Sequence, residues 1–560
     1  VSSRHEEGTP PMSLFKRIND MSESKRSRRA WFGFVCFIFF VLIIIPSIFV
    51  IFKMFTEWDL VSDVLNNSED MEKIKGALWN SFSIAGIVTV IDIIVGIPMA
   101  WMLVRKQFRG KRYLDTLMDM PLAFPTAVLG ISVVMFWGAP DEVGIPGLGI
   151  VISPYLMLIL LHIIFTYPYM VRSLSAILEQ IEPNYETAAM TLSASRFTAV
   201  RTITLPLFKA GLVTGVILCF ARSLSETGGT YIALKMMDVN NTFFTGPSFI
   251  ANEKRLDPYY PDIGPETMGA MILISVLMIV LALVLLVIVN VLMKRFKIPM
   301  KKVWPNFGRI LSRGKIPKLK DSLSIVFLVL IILIPSFYIF AYMTQPMASI
   351  DYGMLFYSTG ISFLIAGIAV AFNVVFGIPI ALYIARKGNT LMGRILDNLV
   401  NIPLIVPTVA LGFSLALFWG SIYAGDSLGL LMVILGHIAF TFPLMVRNIT
   451  GAVEEVDVSY EEVAMTLGAK PFQAFSKVLM PIIKSSIFAG AILAFTRSLG
   501  ETGATLAISN SVKTVPIYIM DLIDNKLYSE AALCSIILIA ICFVLMVAVR
   551  IILNRGEQHA

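Results

Sequence analysis

Stretches of about 20 apolar residues recur along this chain, and that is the length an α-helix needs to cross a hydrocarbon core about 30 Å thick. Twelve such runs stand near 31–52, 77–104, 117–138, 150–171, 209–231, 267–293, 322–343, 357–385, 397–420, 428–446, 484–507 and 530–553. Inside lipid every backbone N–H and C=O must find its partner within the protein, so only helices or a closed barrel can span. Barrel strands would alternate polar and apolar residues, and these runs do not. The fold class is therefore an all-α polytopic membrane protein. Composition agrees: of 560 residues, 57% are hydrophobic and 15% charged, against roughly 25% charged in soluble domains.

The basic residues set the expected orientation. The N-terminal arm carries Arg4, Lys16, Arg17, Lys25, Arg26, Arg28 and Arg29, the connection after the second run reads "RKQFRGKR", and the linker from Lys294 to Lys320 has ten basic residues and no acidic one. Lys and Arg collect on the cytoplasmic side, whereas "KMFTEWDLVSDVLNNSEDMEK" is acid-rich and faces out. Both termini are thus expected in the cytoplasm of a protein embedded in the plasma or inner membrane. The net charge of +7 reflects this topology rather than nucleic-acid binding. The first run is too long for a removable signal peptide and lacks a small-residue cleavage site. Cys36, Cys219, Cys534 and Cys542 all fall in apolar runs, so neither a disulfide framework nor a metal site is suggested.

The chain also repeats itself. "LIIIPSIF" from Leu42 matches "LIILIPSF" from Leu330, "GIPMA" from Gly96 matches "GIPIA" from Gly377, and "FPTAVLG" from Phe124 matches "VPTVALG" from Val406. Further on, "LHIIFTYPYMVR" from Leu161 matches "GHIAFTFPLMVR" from Gly436. The expected organisation is a cytoplasmic arm (1–30), a first six-helix half (31–293), a basic linker (294–321) and a second half (322–560). Both halves start inside, which makes them parallel repeats about an axis along the membrane normal. Length changes between the copies fall mostly in outward loops, while the long inner loop between runs four and five keeps its length. The inner face is therefore expected to meet a symmetric partner and the outer face an asymmetric one.

That inner loop reads "PNYETAAMTLSASRFTAVRTITLPLFKAG" in the first copy and "VSYEEVAMTLGAKPFQAFSKVLMPIIKSS" in the second. Ser459 and Glu462 are spaced as a capping box, Val463, Ala464 and Leu467 form a narrow packing face, and Gly468 suits a helix stop. In the first copy Asn184 is the expected cap, and Ala188, Ala189 and Leu192 supply the face. Pro206 and Pro481 fit the first turn of the following helices, where a missing N–H costs nothing.

Glu462-x-Ala464, Gly468 and the terminal Met480-Pro481 resemble the "EAA" loop of the permease subunits of ATP-binding-cassette importers, and the resemblance covers both halves. It implies that each loop inserts a coupling helix, built on Glu186, Ala188, Ala189 and Ser193 or on Glu461, Glu462, Ala464 and Gly468, into one of two cytoplasmic ATP-binding-cassette subunits, expected as a homodimer. ATP-driven closure of those subunits then flips the permease between inward- and outward-facing states. The first copy departs from the pattern at Thr187 and Ser193, so the two loops need not couple equally. An extracytoplasmic substrate-binding protein is implied as the further partner. No G-x-x-x-x-G-K-[ST] loop occurs in the sequence, so ATP hydrolysis falls to the partner subunits and no cofactor is expected on this chain.

Two further motifs bear on the path. "RSLSETGGT" from Arg222 and "RSLGETGAT" from Arg497 each place an arginine four residues before a glutamate, on one helix face where the two can pair. At 1.5 Å per residue from Pro206, Arg222 lies about 24 Å and Glu226 about 30 Å along the helix, toward its outer end. Such a pair is read either as a self-neutralising ion pair or as an outer constriction that guides an anion. The candidates are Arg222, Ser223, Glu226 and Thr227 with Arg497, Ser498, Glu501 and Thr502. Pro121/Pro125 and Pro403/Pro407 break backbone bonds and nominate Thr126 and Thr408 as lining residues. His162 and His437 are read as hydrogen-bonded packing residues, and Asp92, matching Asn373, as a neutral hydrogen-bonded group. "RSLGETGAT" with "PLIVPTVALG" is similar to permeases for molybdate, tungstate and sulfate. The alternatives are a phosphate, ferric iron or thiamine permease, or a secondary transporter that needs no ATPase.

Overall fold

Proline marks the two sharpest bends in the apolar segments of this chain, and they stand at matching places in two halves. The computed structural model describes residues 19–20, 22–138, 147–151, 153–238, 242–256, 265–295, 316–344, 351–422 and 429–557. Most of the basic arm and linker, with His5 and His559, lie outside the described residues. The first half runs α1 (Lys25–Thr56), α2 (Ser68–Arg105), α3 (Lys111–Ala123), α4 (Thr126–Trp137), α5 (Pro154–Gln180), α6 (Pro183–Thr191), α7 (Leu205–Leu224), α8 (Gly228–Met236), α9 (Gly246–Leu256) and α10 (Pro265–Arg295). The second half repeats that order as α11 (Lys318–Ala341), α12 (Tyr352–Lys387), α13 (Leu391–Ile405), α14 (Thr408–Ile422), α15 (Gly429–Glu455), α16 (Ser459–Thr466), α17 (Met480–Leu499), α18 (Gly503–Ile508), α19 (Val515–Asp524) and α20 (Tyr528–Glu557).

The twelve apolar runs are not all single helices. Among the described residues, eight helices are long and apolar enough to cross a membrane, three bent helix pairs are so when each is taken together, and Tyr528–Val544 is a shorter apolar helix. The third and ninth runs are not single helices: α3 and α4, like α13 and α14, meet at 104°. The residue before a proline is pushed out of the helical region, and Phe124 and Val406 are both extended.

Pro206 and Pro481 stand in the first turn of α7 and α17, as their position suggested. A π-helical turn precedes each, Val200–Thr204 and Phe475–Leu479, and the second lies inside a continuous helix from Pro471 to Leu499. Proline lacks an N–H and its ring presses on the carbonyl four residues back, so a locally wider turn removes the clash. The same device precedes Pro46 and Pro335, at Phe40–Ile44 and Leu328–Leu333.

The carbonyls released near Pro46 and Pro335 tie the halves together. Ser414 of α14 donates to the Pro46 carbonyl at 2.6 Å and accepts from the Val50 N–H at 2.8 Å. Reciprocally, Ser132 of α4 donates to the Pro335 carbonyl at 2.6 Å and accepts from the Ile339 N–H at 2.9 Å. Each half thus lays its first helix against the other. Within a half, α4 runs so close to α8 that a Cβ on Gly130 would stand 2.5 Å from the Gly229 carbonyl oxygen, and Gly412 stands likewise 2.6 Å from that of Ala504. These contacts hold the start of α8 and of α18 at the seam between the halves.

Candidate functional site

The Arg–Glu step lies at a helix break, not inside one helix. α7 stops at Leu224 and α8 opens at Gly228; α17 stops at Leu499 and α18 opens at Gly503. Arg222 and Arg497 therefore occupy the last turn of one helix, where the backbone dipole favours a cation, and Glu226 and Glu501 precede the first turn of the next, where it favours an anion. Arg222 Nη1 pairs with Glu226 Oε2 at 2.8 Å and Arg497 Nη1 with Glu501 Oε2 at 2.5 Å. The second carboxylate oxygen of Glu226 accepts from the Gly229 N–H at 3.0 Å, and that of Glu501 from the Ala504 N–H at 2.9 Å. The glutamate side chains are 2% and 3% exposed and the arginine side chains 17% and 23%, so the arginine is the more accessible partner of each pair. Phe165 and Phe440 support the arginines, with ring centroids 4.8 and 5.3 Å from the guanidinium carbons.

The flanking hydroxyls are held by histidine. His162 Nδ1 meets Ser223 Oγ at 2.7 Å and its Nε2 meets Thr230 Oγ1 at 2.9 Å; His437 repeats both distances with Ser498 and Thr505. Each imidazole thus bridges the two helices across the break and is buried, in keeping with its reading as a packing residue. Close by, Thr166 Oγ1 lies 2.6 Å from Asp92 Oδ2 and 2.7 Å from the His162 carbonyl. In the second half Asn373 Nδ2 donates to Thr441 at 2.8 Å, and Thr441 gives its proton to the His437 carbonyl. Asp92 and Asn373 thus hold equivalent places, each within hydrogen-bond reach of the threonine one turn after the histidine.

The two copies converge on one constriction. Thr126, Arg222, Glu226 and Thr227 face Thr408, Arg497, Glu501 and Thr502 around a space with about 10 Å3 of room, which is about what a single water requires. Thr408 Oγ1 reaches the Ser225 carbonyl of the other half at 3.4 Å. A Cβ on Gly228 would stand 2.6 Å from Thr502 Oγ1, and one on Gly503 2.6 Å from Thr227 Oγ1. The glycines thus let each threonine interlock with the opposite half. Ser223 and Ser498 belong to the histidine bridges rather than to this lining.

The inner loops form the second site. α6 ends in a Schellman turn, with Ala194 N–H on the Ala189 carbonyl at 3.1 Å and Ser193 N–H on that of Met190 at 3.0 Å; α16 ends identically through Ala469 and Gly468 at 3.0 and 3.1 Å. Ser193 adopts φ 70° and Gly468 φ 91°, so the departure at Ser193 keeps the geometry and adds strain. The expected capping box is not formed. Val458 precedes α16 without a side-chain bond, and Asp457 accepts from the Ser459 N–H at 2.8 Å, an interaction that holds the Asp457 carboxyl below its ordinary range. Asn184 lies inside α6, which starts at Pro183 after Glu182 and so needs no N–H there.

Leu192 and Leu467 project from these helix ends at 85% and 84% exposure, with Tyr185, Met190, Tyr460, Val463 and Met465 also exposed. Ala188 is exposed, while Ala189 and Ala464 are half-buried beneath this face and Glu462 is exposed beside it. Glu186 and Glu461 point inward instead. Arg386, at the end of α12, donates to Glu461 at 2.7 Å and to the Val456 carbonyl at 2.8 Å. Arg105, at the end of α2, stands 3.5 Å from Glu186 and donates to the Ile181 carbonyl at 2.6 Å. These arginines escaped the sequence reading, although Arg105 and Arg386 share the 281-residue offset of Gly96 and Gly377. So did Arg172 with Asp115 and Asp119, and Arg447 with Asp397 and Asn401, a second duplicated cluster between α5 and α3 and between α15 and α13.

The family of binding-protein-dependent transport system inner membrane components matches residues 92–298 and again residues 377–557. The chain is 33% identical over 198 residues to the sulfate transport system permease protein CysT of Salmonella typhimurium, covering 35% of this chain and 69% of the relative. It is 34% identical over 158 residues to the molybdenum transport system permease protein ModB of Escherichia coli, covering 28% of this chain and 69% of the relative. A probable transport system permease protein, NifC, of Clostridium pasteurianum is 30% identical over 211 residues, 35% of this chain and 73% of the relative.

Proposed function

The chain belongs to the family of binding-protein-dependent transport system inner membrane components, and we propose that it imports an inorganic tetrahedral oxyanion, molybdate, tungstate or sulfate, driven by separate ATP-binding-cassette subunits. The observation that carries the substrate class is the pair of partly exposed arginine side chains, each neutralised by its own buried glutamate, on opposite walls of one constriction. A bare arginine would hold an oxyanion through charge-assisted bonds, whereas a neutralised one draws it weakly and lets it go. The sulfate and molybdenum permeases among the relatives support the same class.

In this reading α6 and α16 are the coupling helices, presenting Leu192 and Leu467 to a homodimer of ATPase subunits on the cytoplasmic side, where both chain ends also lie. The Arg105–Glu186 and Arg386–Glu461 clamps carry the push from those helices into α2 and α12. Both loops share the clamp and the Schellman stop, so both couple. A constriction with room for one water is the closed state of the path, opened when the halves move apart at α8 and α18. An extracytoplasmic binding protein delivers the ion at the far end.

The test is uptake into vesicles holding the full chain with its ATPase and binding protein. Labelled molybdate, tungstate or sulfate should accumulate only with ATP. Accumulation without ATP would sink the importer reading, and ATP-driven uptake of phosphate, ferric iron or thiamine alone would sink the substrate class.

A further inference from the structure

At the end of the molecule away from α6 and α16, an open cavity of about 440 Å3 lies on the seam between the halves. Tyr231 and Lys235 of α8 form part of its wall, and α8 starts at the constriction, so the cavity stands directly beyond it. Four cations, Lys235, Arg255, Lys513 and Lys526, face three carboxylates, Asp238, Asp521 and Asp524. Arg255 of the first half donates to Asp521 of the second at 2.9 Å and is also paired with Asp524. Lys513 reaches the other oxygen of Asp521 at 2.7 Å. Tyr231 donates to Asp524 at 3.2 Å, with the Arg255 guanidinium and the Lys235 ammonium 5.9 and 5.6 Å from its ring centroid.

The repeat makes this arrangement informative. α9 and α19 each carry proline at their second position, Pro247 and Pro516, and in that register Arg255 corresponds to Asp524. Two identical halves would set like charges against each other here. The fused chain instead places a cation on one side of the seam and carboxylates on the other, so parting the halves strips Arg255 of both its partners.

We propose that this cavity is the receiving site for the oxyanion, which enters by exchange: when the halves part, the dianion replaces Asp521 and Asp524 on Arg255. The proposal rests on the importer reading above. The exchange is charge-balanced around Arg255, which gives up two carboxylates and takes one dianion, while Lys513 stays with Asp521 of its own half. The guanidinium fork accepts either, since it matches planar carboxylate and tetrahedral oxyanion edges alike. Closing the halves returns the carboxylates to Arg255 and so releases the anion toward the constriction.

The test is equilibrium binding of labelled molybdate and sulfate to the complex of the full chain with its ATPase, without binding protein. Replacing Asp521→Asn together with Asp524→Asn should raise affinity at least about tenfold, the equivalent of one charge-assisted hydrogen bond at about 1.4 kcal/mol. Adding Arg255→Gln should abolish the gain, and adding Arg255→Lys, which keeps the charge and loses the fork, should leave part of it. A gain cannot come from misfolding. No gain in the double Asp variant, or a gain that survives Arg255→Gln, overturns the proposal. ATP-driven uptake by the parent chain reports separately on the importer reading: uptake without the binding gain removes this proposal alone, and the absence of both removes the two together.

Discussion

Replacing Glu226→Gln and Glu501→Gln together tests whether the paired arginines meet the cargo. Each carboxylate is almost wholly buried, accepts one guanidinium bond and one helix N–H, and lies within 2.5–2.8 Å of its arginine. Glutamine keeps the shape and can still accept the N–H, so the change removes charge rather than packing. Breaking a buried pair costs about 3–5 kcal/mol, and the partial exposure of Arg222 and Arg497 places this case near the lower end. The same exposure lets an incoming oxyanion take the vacated place. A hydrogen bond between charged groups is worth about 1.5–3 kcal/mol, so the ion should dwell on the order of 10- to 100-fold longer at the constriction. In vesicles the double variant should therefore show slowed turnover, with ATP hydrolysis less tightly linked to uptake. Uptake equal to that of the parent chain, at equal protein per vesicle, would refute the role of the arginines in the path and leave the pairs as structural neutralisers alone.

Three further outcomes follow from particular side chains. Ser193 holds a left-handed backbone that glycine adopts without strain, so Ser193→Gly should stabilise the first loop by up to about 1 kcal/mol, seen as slower amide exchange at α6; unchanged exchange would refute the strain. Leu192→Ala and Leu467→Ala should each weaken assembly with the ATPase by at least about 1 kcal/mol, read by co-purification, and equal recovery would remove these residues from the interface. Asp92→Asn should fold and transport like the parent, because Asn373 already fills the equivalent place with the same hydrogen bonds; loss of uptake at normal protein levels would show that Asp92 carries a proton or charge in the cycle.

The sequence alone determined the class of the fold, because lipid leaves the backbone no choice but helix or barrel and the runs lack a two-residue period. It also determined the duplication, since motifs such as "GIPMA" and "FTYPYMVR" survive in both copies. The candidate site was legible as a set of residues: Thr126, Arg222, Glu226 and Thr227 and their counterparts Thr408, Arg497, Glu501 and Thr502 do converge. Its form was not legible. An apolar run looks continuous whether or not the helix breaks within it, so the gap between Leu224 and Gly228, which lets Glu226 accept a free N–H of a new helix, left no mark in hydropathy. Pro206 and Pro481 were legible as first-turn residues, but the π turns that run into them are a response of the backbone. A local capping rule pointed to Ser459, yet Asp457 took the bond because Val458 already has helical backbone angles, which puts Ser459 inside the first turn rather than before it. Arg105 on Glu186 and Arg255 on Asp521 join residues 81 and 266 positions apart, and no local pattern encodes a pairing of that range. Which charges are neutralised, and across which seam, depends on how the two halves pack, and only the tertiary structure decided it.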